Sequence, residues 1–91
     1  MYYVYALKSE RCDRIYVGLT KNLNLRLREH NSGKTKSTKF YRPWVLFYHE
    51  SRRTLVEARR REKVLKSGSG REFLKRSFFA PVAHLDRAQV S

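Results

Sequence analysis

Two β-prone runs, separated by a handful of charged residues, open the chain and constrain it more than anything that follows. Tyr2, Tyr3, Val4, Tyr5, Ala6 and Leu7 make the first run, and Ile15, Tyr16, Val17 and Leu19 the second. The polar stretch 9–13 between them is short enough for a hairpin. Successive side chains alternate across a strand, so Tyr3, Tyr5 and Leu7 share one face of the first strand, and Tyr16 and Gly18 share one face of the second. Tyr5 and Tyr16 are therefore expected near each other on one side of the pair.

The next segment, NLNLRLREHN (22–31), reads as a helix with Asn22 as N-cap and Gly33 as terminator. Leu23, Arg26, Leu27 and His30 fall at i, i+3, i+4 and i+7, so an arginine and a histidine share a stripe with two leucines. Either Arg26 snorkels while His30 bonds a carbonyl, or the two serve chemistry; this helix alone leaves both readings open. Residues 32–43 (SGKTKSTKFYRP) form a basic loop with Lys34, Lys36, Lys39 and Arg42, and no acidic residue occurs from Asn31 to His49. Such a loop suits phosphate contacts, with Phe40 and Tyr41 either stacking on bases or docking on the core. The apolar run WVLFYH (44–49) has the length of a third strand.

A long helix follows over 54–66. Thr54 with Glu57 three residues on is a capping-box pattern. Leu55, Ala58, Glu62 and Leu65 then form one inward stripe, at i, i+3, i+7 and i+10. A carboxylate in the middle of that stripe needs a cation, an arginine or a hydrogen-bond network, because burying it unpaired is costly. Arg52, Arg53, Arg59, Arg60, Arg61 and Lys63 fall on the outer face, phosphate-facing or merely solvated. Gly68 and Gly70 are expected to break the helix, with a short last helix over 71–77. From Phe79 onward Pro81 and the loss of periodicity predict an appended, weakly ordered tail. The expected fold is α+β: a small three-stranded antiparallel sheet flanked by helices, in the order β-β-α-β-α-α, with one domain over 1–78 and the tail over 79–91.

Charge narrows the partner. Twenty-one Lys plus Arg against 8 Asp plus Glu leave a formal net charge of +13 on 91 residues. A field that positive on so small a surface suits a polyanion, nucleic acid ahead of an anionic membrane surface or a ribosomal setting. Charge does not say whether the partner is cut. The single cysteine, Cys12, argues against a disulfide framework or a zinc cluster and fits a reducing cytosol. Neither a signal-peptide pattern nor an apolar run of about eighteen residues occurs, so a soluble, cytoplasmic protein without membrane contact is expected.

Taken in order, Tyr3-Val4-Tyr5, Tyr16-Val17-Gly18, the helix in KNLNLRLREHNSG with Arg26 and His30 one turn apart, and EARRREKVLK with Glu62 and Lys66 resemble the GIY-YIG nuclease domain, over residues 2–77. The glycine that opens the family's first tripeptide is Tyr3 here, and both central isoleucines are valines. The asparagine that many relatives carry late in the domain has no counterpart after Asn31. The H-N-S-G and R-P-W segments make the chain most similar to the small stand-alone members. It is also similar to nuclease domains of structure-specific endonuclease subunits that cut branched DNA, a setting of repair or recombination.

The resemblance implies a metal-dependent endonuclease hydrolysing phosphodiester bonds of DNA, in preference to RNA, with one Mg²⁺ or Mn²⁺ ion. It makes Tyr5 the first choice for general base and Tyr16 the second. Arg26 neutralises the scissile phosphate, His30 assists the proton transfer or holds the phosphate, and Glu62 binds the metal. These residue types suit the chemistry. A hard cation is content with one carboxylate, waters and phosphate oxygens, and with Glu62 the only obvious inward carboxylate a two-metal site is hard to build. Arginine keeps its charge and its fixed fork. A tyrosine titrating at about 10 needs help from Arg26, the metal or a lysine to act as a base near neutrality. Lys34, Lys36, Lys39, Arg42, Arg59, Arg60 and Lys66 are the expected DNA contacts. Three alternatives stay open: a non-catalytic nucleic-acid-binding module, which leaves Glu62 unexplained; a structural or ribosome-associated basic protein, which explains the charge but not the inward polar set; and a nuclease scaffold that relies on a protein partner for specificity.

Overall fold

Strand β1 (Tyr2–Ser9) lies in the middle of a three-stranded sheet, with β2 (Ile15–Thr20) on one side and β3 (Trp44–Arg52) on the other, all antiparallel. The computed structural model describes residues 1–79 of the chain. Helix α1 (Leu23–Ser32) follows β2, a short 3₁₀ turn (Lys39–Tyr41) precedes β3, and helices α2 (Leu55–Lys66) and α3 (Gly68–Phe79) complete the described fold. This is the expected α+β architecture in the expected order. No helix among the described residues is long and apolar enough to cross a membrane.

Both faces of the sheet are covered, which is why WVLFYH shows no alternation of apolar and polar residues. One face carries Tyr5, Leu7 and Trp44, packed with Tyr16, Leu23, Leu27, Tyr41 and Leu46, so α1 and the 3₁₀ turn form that layer. The opposite face carries Val4, Ala6 and Val17 against Ala58 and Leu65 of α2 and Leu74 of α3. The register of β1 with β3 shifts between Ala6 and Leu7, which pair with Tyr48 and Leu46. The extra residue, Phe47, joins Tyr48 on the α2–α3 side while Leu46 stays on the α1 side.

The helix ends follow sequence chemistry. Asn22 Oδ1 accepts from Leu25 N at 3.1 Å, and Gly33 closes α1 in the left-handed region at φ 87°. Thr54 Oγ1 accepts from Glu57 N at 3.2 Å to start α2. The end of α2 departs from expectation: Gly68 and Gly70 do not interrupt helical structure but lie in the first turn of α3. The break is Ser67, whose hydroxyl donates to Val64 O at 2.6 Å and accepts from Gly70 N at 3.3 Å, so one residue ends one helix and caps the next. Gly70 is there for space, because a Cβ would stand 2.0 Å from Val64 O and 2.5 Å from Leu65 Cα. The last helix is longer than expected at both ends and takes in Phe79; the rest of the anticipated tail lies outside the described residues.

Two arginines of the expected outer face prove to be engaged. Arg61 Nε donates to both Glu50 carboxylate oxygens, at 2.8 and 2.9 Å, and Arg52 reaches the same carboxylate at 2.6 Å. Tyr48 also donates to Glu50. Burial raises the Glu50 pKa, but the bonds from Tyr48 and Arg61 and the two guanidinium charges outweigh it and hold the carboxyl below its usual range. The cluster staples β3 to α2.

Candidate active site

Tyr5 and Gly18 are paired residues of β1 and β2, and their relation sets the site. The Tyr5 phenol lies across Gly18, where a Cβ would come within 2.5 Å of the hydroxyl oxygen. Only glycine leaves room for the ring there. Tyr16 sits diagonally beside it, with ring centroids 6.2 Å apart, so the two tyrosines share a face as their strand positions predict. The phenol of Tyr5 is almost fully buried, at 2% exposure.

Helix α1 supplies the partners. His30 Nε2 lies 2.9 Å from Tyr5 Oη, and Arg26 Nε donates to the same oxygen at 3.3 Å. One helical turn separates Arg26 from His30, so both reach one point on the sheet. His30 is fully buried, its ring edge-on to Tyr16 at 4.8 Å between centroids. Burial, reinforced by the Arg26 charge and opposed by Glu29, lowers its pKa to about 4, so the ring is neutral near pH 7. Burial likewise raises Tyr5 to about 12; the Arg26 hydrogen bond pulls the other way but does not win, and Tyr16 and Glu62 add to the rise. Arg26 is thus not enough to make Tyr5 a phenolate at neutral pH.

Arg26 has a second partner that sequence reasoning missed. Its Nη1 donates to Glu29 Oε1 at 2.9 Å, each side chain about one-third exposed. Burial disfavours the Arg26 charge, but Glu29 and the Tyr5 oxygen outweigh it and hold the guanidinium firmly protonated. The i, i+3 spacing was the available signal for this pair.

The loop before β3 is tied down by residues with no such signal. His30 Nδ1 lies 2.9 Å from Thr38 Oγ1, and Trp44 Nε1 donates to Thr38 O at 2.9 Å. The Asn31 side chain brackets the Trp44 backbone, accepting from its N–H at 2.6 Å and donating to its carbonyl at 3.1 Å. Ser9 Oγ donates to Tyr41 O at 2.6 Å. These contacts join residues far apart in sequence, so periodicity could not reveal them.

Glu62 stands apart from the tyrosine cluster. It lies on the sheet-facing side of α2, between Ala58 and Leu65, which pack on the face opposite Tyr5. Its side chain is 18% exposed and pairs with Lys66 at 3.2 Å. No hydrogen bond joins it to Tyr5, Arg26 or His30, yet its charge is close enough to raise the Tyr5 pKa. The two parts approach around the edge strand β2, where a cleft of about 170 Å³ is lined by Ile15, Tyr16, Val17, Lys66 and Arg71. Among the described residues no cluster of three or more His, Cys, Asp or Glu could hold a metal. A donor set of one carboxylate fits only a hard cation that keeps waters and takes phosphate oxygens.

The expected DNA-binding residues fall into two layers. Lys34, Lys36 and Arg42 are exposed on the loop of the α1 layer with Lys39 half-buried among them, whereas Arg59, Arg60 and Lys66 are exposed on α2. Arg42 folds over Gly33. Phe40 is 69% exposed with Lys39 Nζ 5.0 Å from its ring centroid, while half-buried Tyr41 docks beside Trp44 under Arg14. The two aromatics therefore divide the readings, one outward and one inward.

Comparison with known proteins gives the family. The model of the GIY-YIG catalytic domain matches residues 1–75. A UPF0213 protein of Staphylococcus haemolyticus is 41% identical over 75 residues, covering 81% of this chain and 90% of its own. One from Bacillus pumilus is 42% identical over 67 residues, covering 72% and 67%, and one from Staphylococcus epidermidis is 37% identical over 75 residues, covering 81% and 90%. No solved structure gives a significant match. The chain belongs to the GIY-YIG catalytic-domain family, a family of nucleases, and is similar in size and sequence to its small UPF0213 members.

Proposed function

We propose that this protein is an endonuclease that hydrolyses phosphodiester bonds of DNA with the help of one divalent cation, Mg²⁺ or Mn²⁺. The observation that carries the reading is the convergence of Tyr5, Arg26 and His30 on a single phenol oxygen. A buried tyrosine bonded at once to an arginine and a neutral histidine is an expensive arrangement for packing alone.

The titration of the two groups shapes the mechanism. Burial favours the neutral form of both groups, raising Tyr5 and lowering His30, so a standing phenolate–imidazolium pair is disfavoured. A preformed phenolate is thus scarce near pH 7. The arrangement suits a relay instead: the attacking water gives a proton to Tyr5 Oη as Tyr5 passes its own to His30 Nε2, and the water oxygen forms the new bond to phosphorus as the bond to the 3′ oxygen breaks. The leaving oxygen takes its proton from solvent. Arg26 meets the charge that builds on the phosphate oxygens, and Tyr16 lines the cleft beside the bond to be cut. Glu62 would hold the cation, whose chemistry when bound is Lewis-acid stabilisation of the leaving oxygen. Lys34, Lys36, Lys39, Arg42, Arg59, Arg60 and Lys66 supply sequence-independent phosphate contacts.

The Arg26–Glu29 pair favours a second form of this reading, in which a protein partner or the substrate itself must draw Glu29 away before the site works. On either form the setting proposed is cytoplasmic DNA repair or recombination, where flapped and branched DNA arises. Cleavage of labelled single-stranded, duplex, flapped and branched DNA with Mg²⁺ or Mn²⁺ tests the proposal, with Glu62→Gln beside the wild type. Cutting lost in the variant is expected. Equal cutting by both removes Glu62 from the site, and tight binding without cutting by either leaves a binding module.

A further inference from the structure

The loop residue Thr38 has no part in the scheme above, yet its hydroxyl is buried against the far nitrogen of His30. We propose that Thr38 is a positioning residue: its hydroxyl fixes the neutral His30 ring as the Nδ1–H tautomer and so turns the Nε2 lone pair toward the Tyr5 phenol. Its value for catalysis rests on the nuclease reading; the tautomer itself does not.

Donors and acceptors can be counted along the chain of contacts. In one direction Arg26 Nε–H donates to Tyr5 Oη, Tyr5 O–H to His30 Nε2, His30 Nδ1–H to Thr38 Oγ1, and Thr38 O–H to Thr35 O, at 3.3, 2.9, 2.9 and 3.4 Å. Every donor has an acceptor. In the other direction Thr38 donates to Nδ1, and Nε2–H donates to a Tyr5 oxygen that already accepts from Arg26. The Tyr5 hydrogen then has no acceptor among the described residues, and leaving a buried hydroxyl donor unpaired is costly. The first direction wins. The arginine cannot be reversed, because guanidinium only donates, so it turns the Tyr5 hydrogen toward His30, and the Thr38 oxygen completes the preference by giving Nδ1–H its only acceptor among the described residues.

Thr38 can act in this way because it is itself immobilised. Its carbonyl takes the Trp44 indole N–H at 2.9 Å, its N–H donates to Thr35 O at 3.1 Å, and Trp44 is bracketed in turn by Asn31. In the nuclease relay the same hydroxyl oxygen goes on accepting from Nδ1–H when Nε2 gains its proton, so the imidazolium is not left with a bare buried donor.

The ¹⁵N shifts of the His30 ring in the folded protein near pH 7 test the assignment, read beside turnover of Thr38→Val and Thr38→Ser. Wild type and Thr38→Ser are expected to show one tautomer protonated at Nδ1. Thr38→Val, close in shape but without the hydroxyl, is expected to lose that preference and give intermediate shifts at both nitrogens. On the nuclease reading its kcat falls about tenfold with little change in KM, and Thr38→Ser restores it. A wild-type ring protonated at Nε2, or Thr38→Val keeping a single Nδ1–H ring, overturns the proposal. If the wild type cuts no DNA but its ring is Nδ1–H and responds to Thr38→Val, the tautomer assignment stands and the nuclease reading falls. Should Thr38→Val fail to fold, the wild-type ring and Thr38→Ser still decide.

Discussion

Replacing Gly18 by alanine loads the site from the strand side, and its cost can be worked from distances. The new Cβ stands 2.5 Å from Tyr5 Oη, 2.6 Å from its Cζ and 2.9 Å from Tyr16 Cε2. Ordinary contacts between such atoms are about 3.5–4.0 Å, so the phenol must move by roughly 1 Å. It has nowhere free to go, because His30 and Arg26 hold its oxygen at 2.9 and 3.3 Å. A shift of that size breaks one bond or drives the oxygen into the other partner. Overpacking costs about 1–3 kcal/mol, and each hydrogen bond lost adds about 1 kcal/mol. A total of about 2–4 kcal/mol corresponds, for a domain of this size, to a Tm lower by roughly 10–25 °C. Urea unfolding of wild type, Gly18→Ala, Tyr5→Leu and the double variant isolates the cause, since leucine lacks the two closest atoms. The expected coupling is about 1–2 kcal/mol, with a remainder from Tyr16. A coupling below about 0.5 kcal/mol would mean that the phenol does not rest on Gly18, and the account of the site would fail with it.

Three further outcomes follow from contacts described above. His30 has a folded pKa near 4 against 6.5 unfolded, so the unfolded chain takes up its proton first as pH falls; stability present above pH 6.5 is lost toward pH 4, by about 3 kcal/mol from this group. His30→Asn should flatten the slope of unfolding free energy over that window, and an unchanged slope would show that the ring is not buried neutral. Gly70→Ala sets a Cβ 2.0 Å from a backbone carbonyl that cannot rotate away, so a loss of more than about 3 kcal/mol is expected in thermal melts, and a near-neutral change would deny the close approach of α2 and α3. Glu29→Gln frees Arg26 from a pair about one-third exposed and worth about 0.5–1 kcal/mol, so DNA binding at low salt should tighten about two- to fivefold by fluorescence anisotropy. Unaltered affinity would indicate that Arg26 does not meet a phosphate.

Much of the fold is written in local pattern. The hairpin, the Asn22 and Thr54 caps, Gly33 and most of the α2 stripe each depend on residues within a few positions of one another and appear where spacing puts them, although Leu55, expected at the head of that stripe, stands exposed in the first turn. The meeting of Tyr5 with Arg26 and His30 was legible because strand alternation and helical period both point to one face. What escaped depends on chain folded back from a distance. Thr38 lies 8 residues from His30, and Asn31 lies 13 from Trp44, with an irregular loop between. Ser67 was hidden by its neighbours, because two glycines look like a break even when they serve as clearance at the start of a helix. The pairing of Arg61 with Glu50 joins a helix to a strand 11 residues earlier, beyond the reach of any helical period.

The order of the layers along the chain has a consequence for how such a molecule comes apart. Everything before Thr54 builds the sheet and the α1 side; everything after it, to Phe79, is one continuous helical hairpin laid on the other face through Ala58, Leu65 and Leu74. The residues proposed for chemistry divide at the same peptide, with Tyr5, Arg26 and His30 in the first piece and Glu62 in the second. A hairpin joined at a single turn can lift as a unit more easily than the whole domain unfolds. On the nuclease reading, parting the two pieces would separate Glu62 from Tyr5, Arg26 and His30 while the loop of Lys34, Lys36 and Lys39 stayed with the sheet.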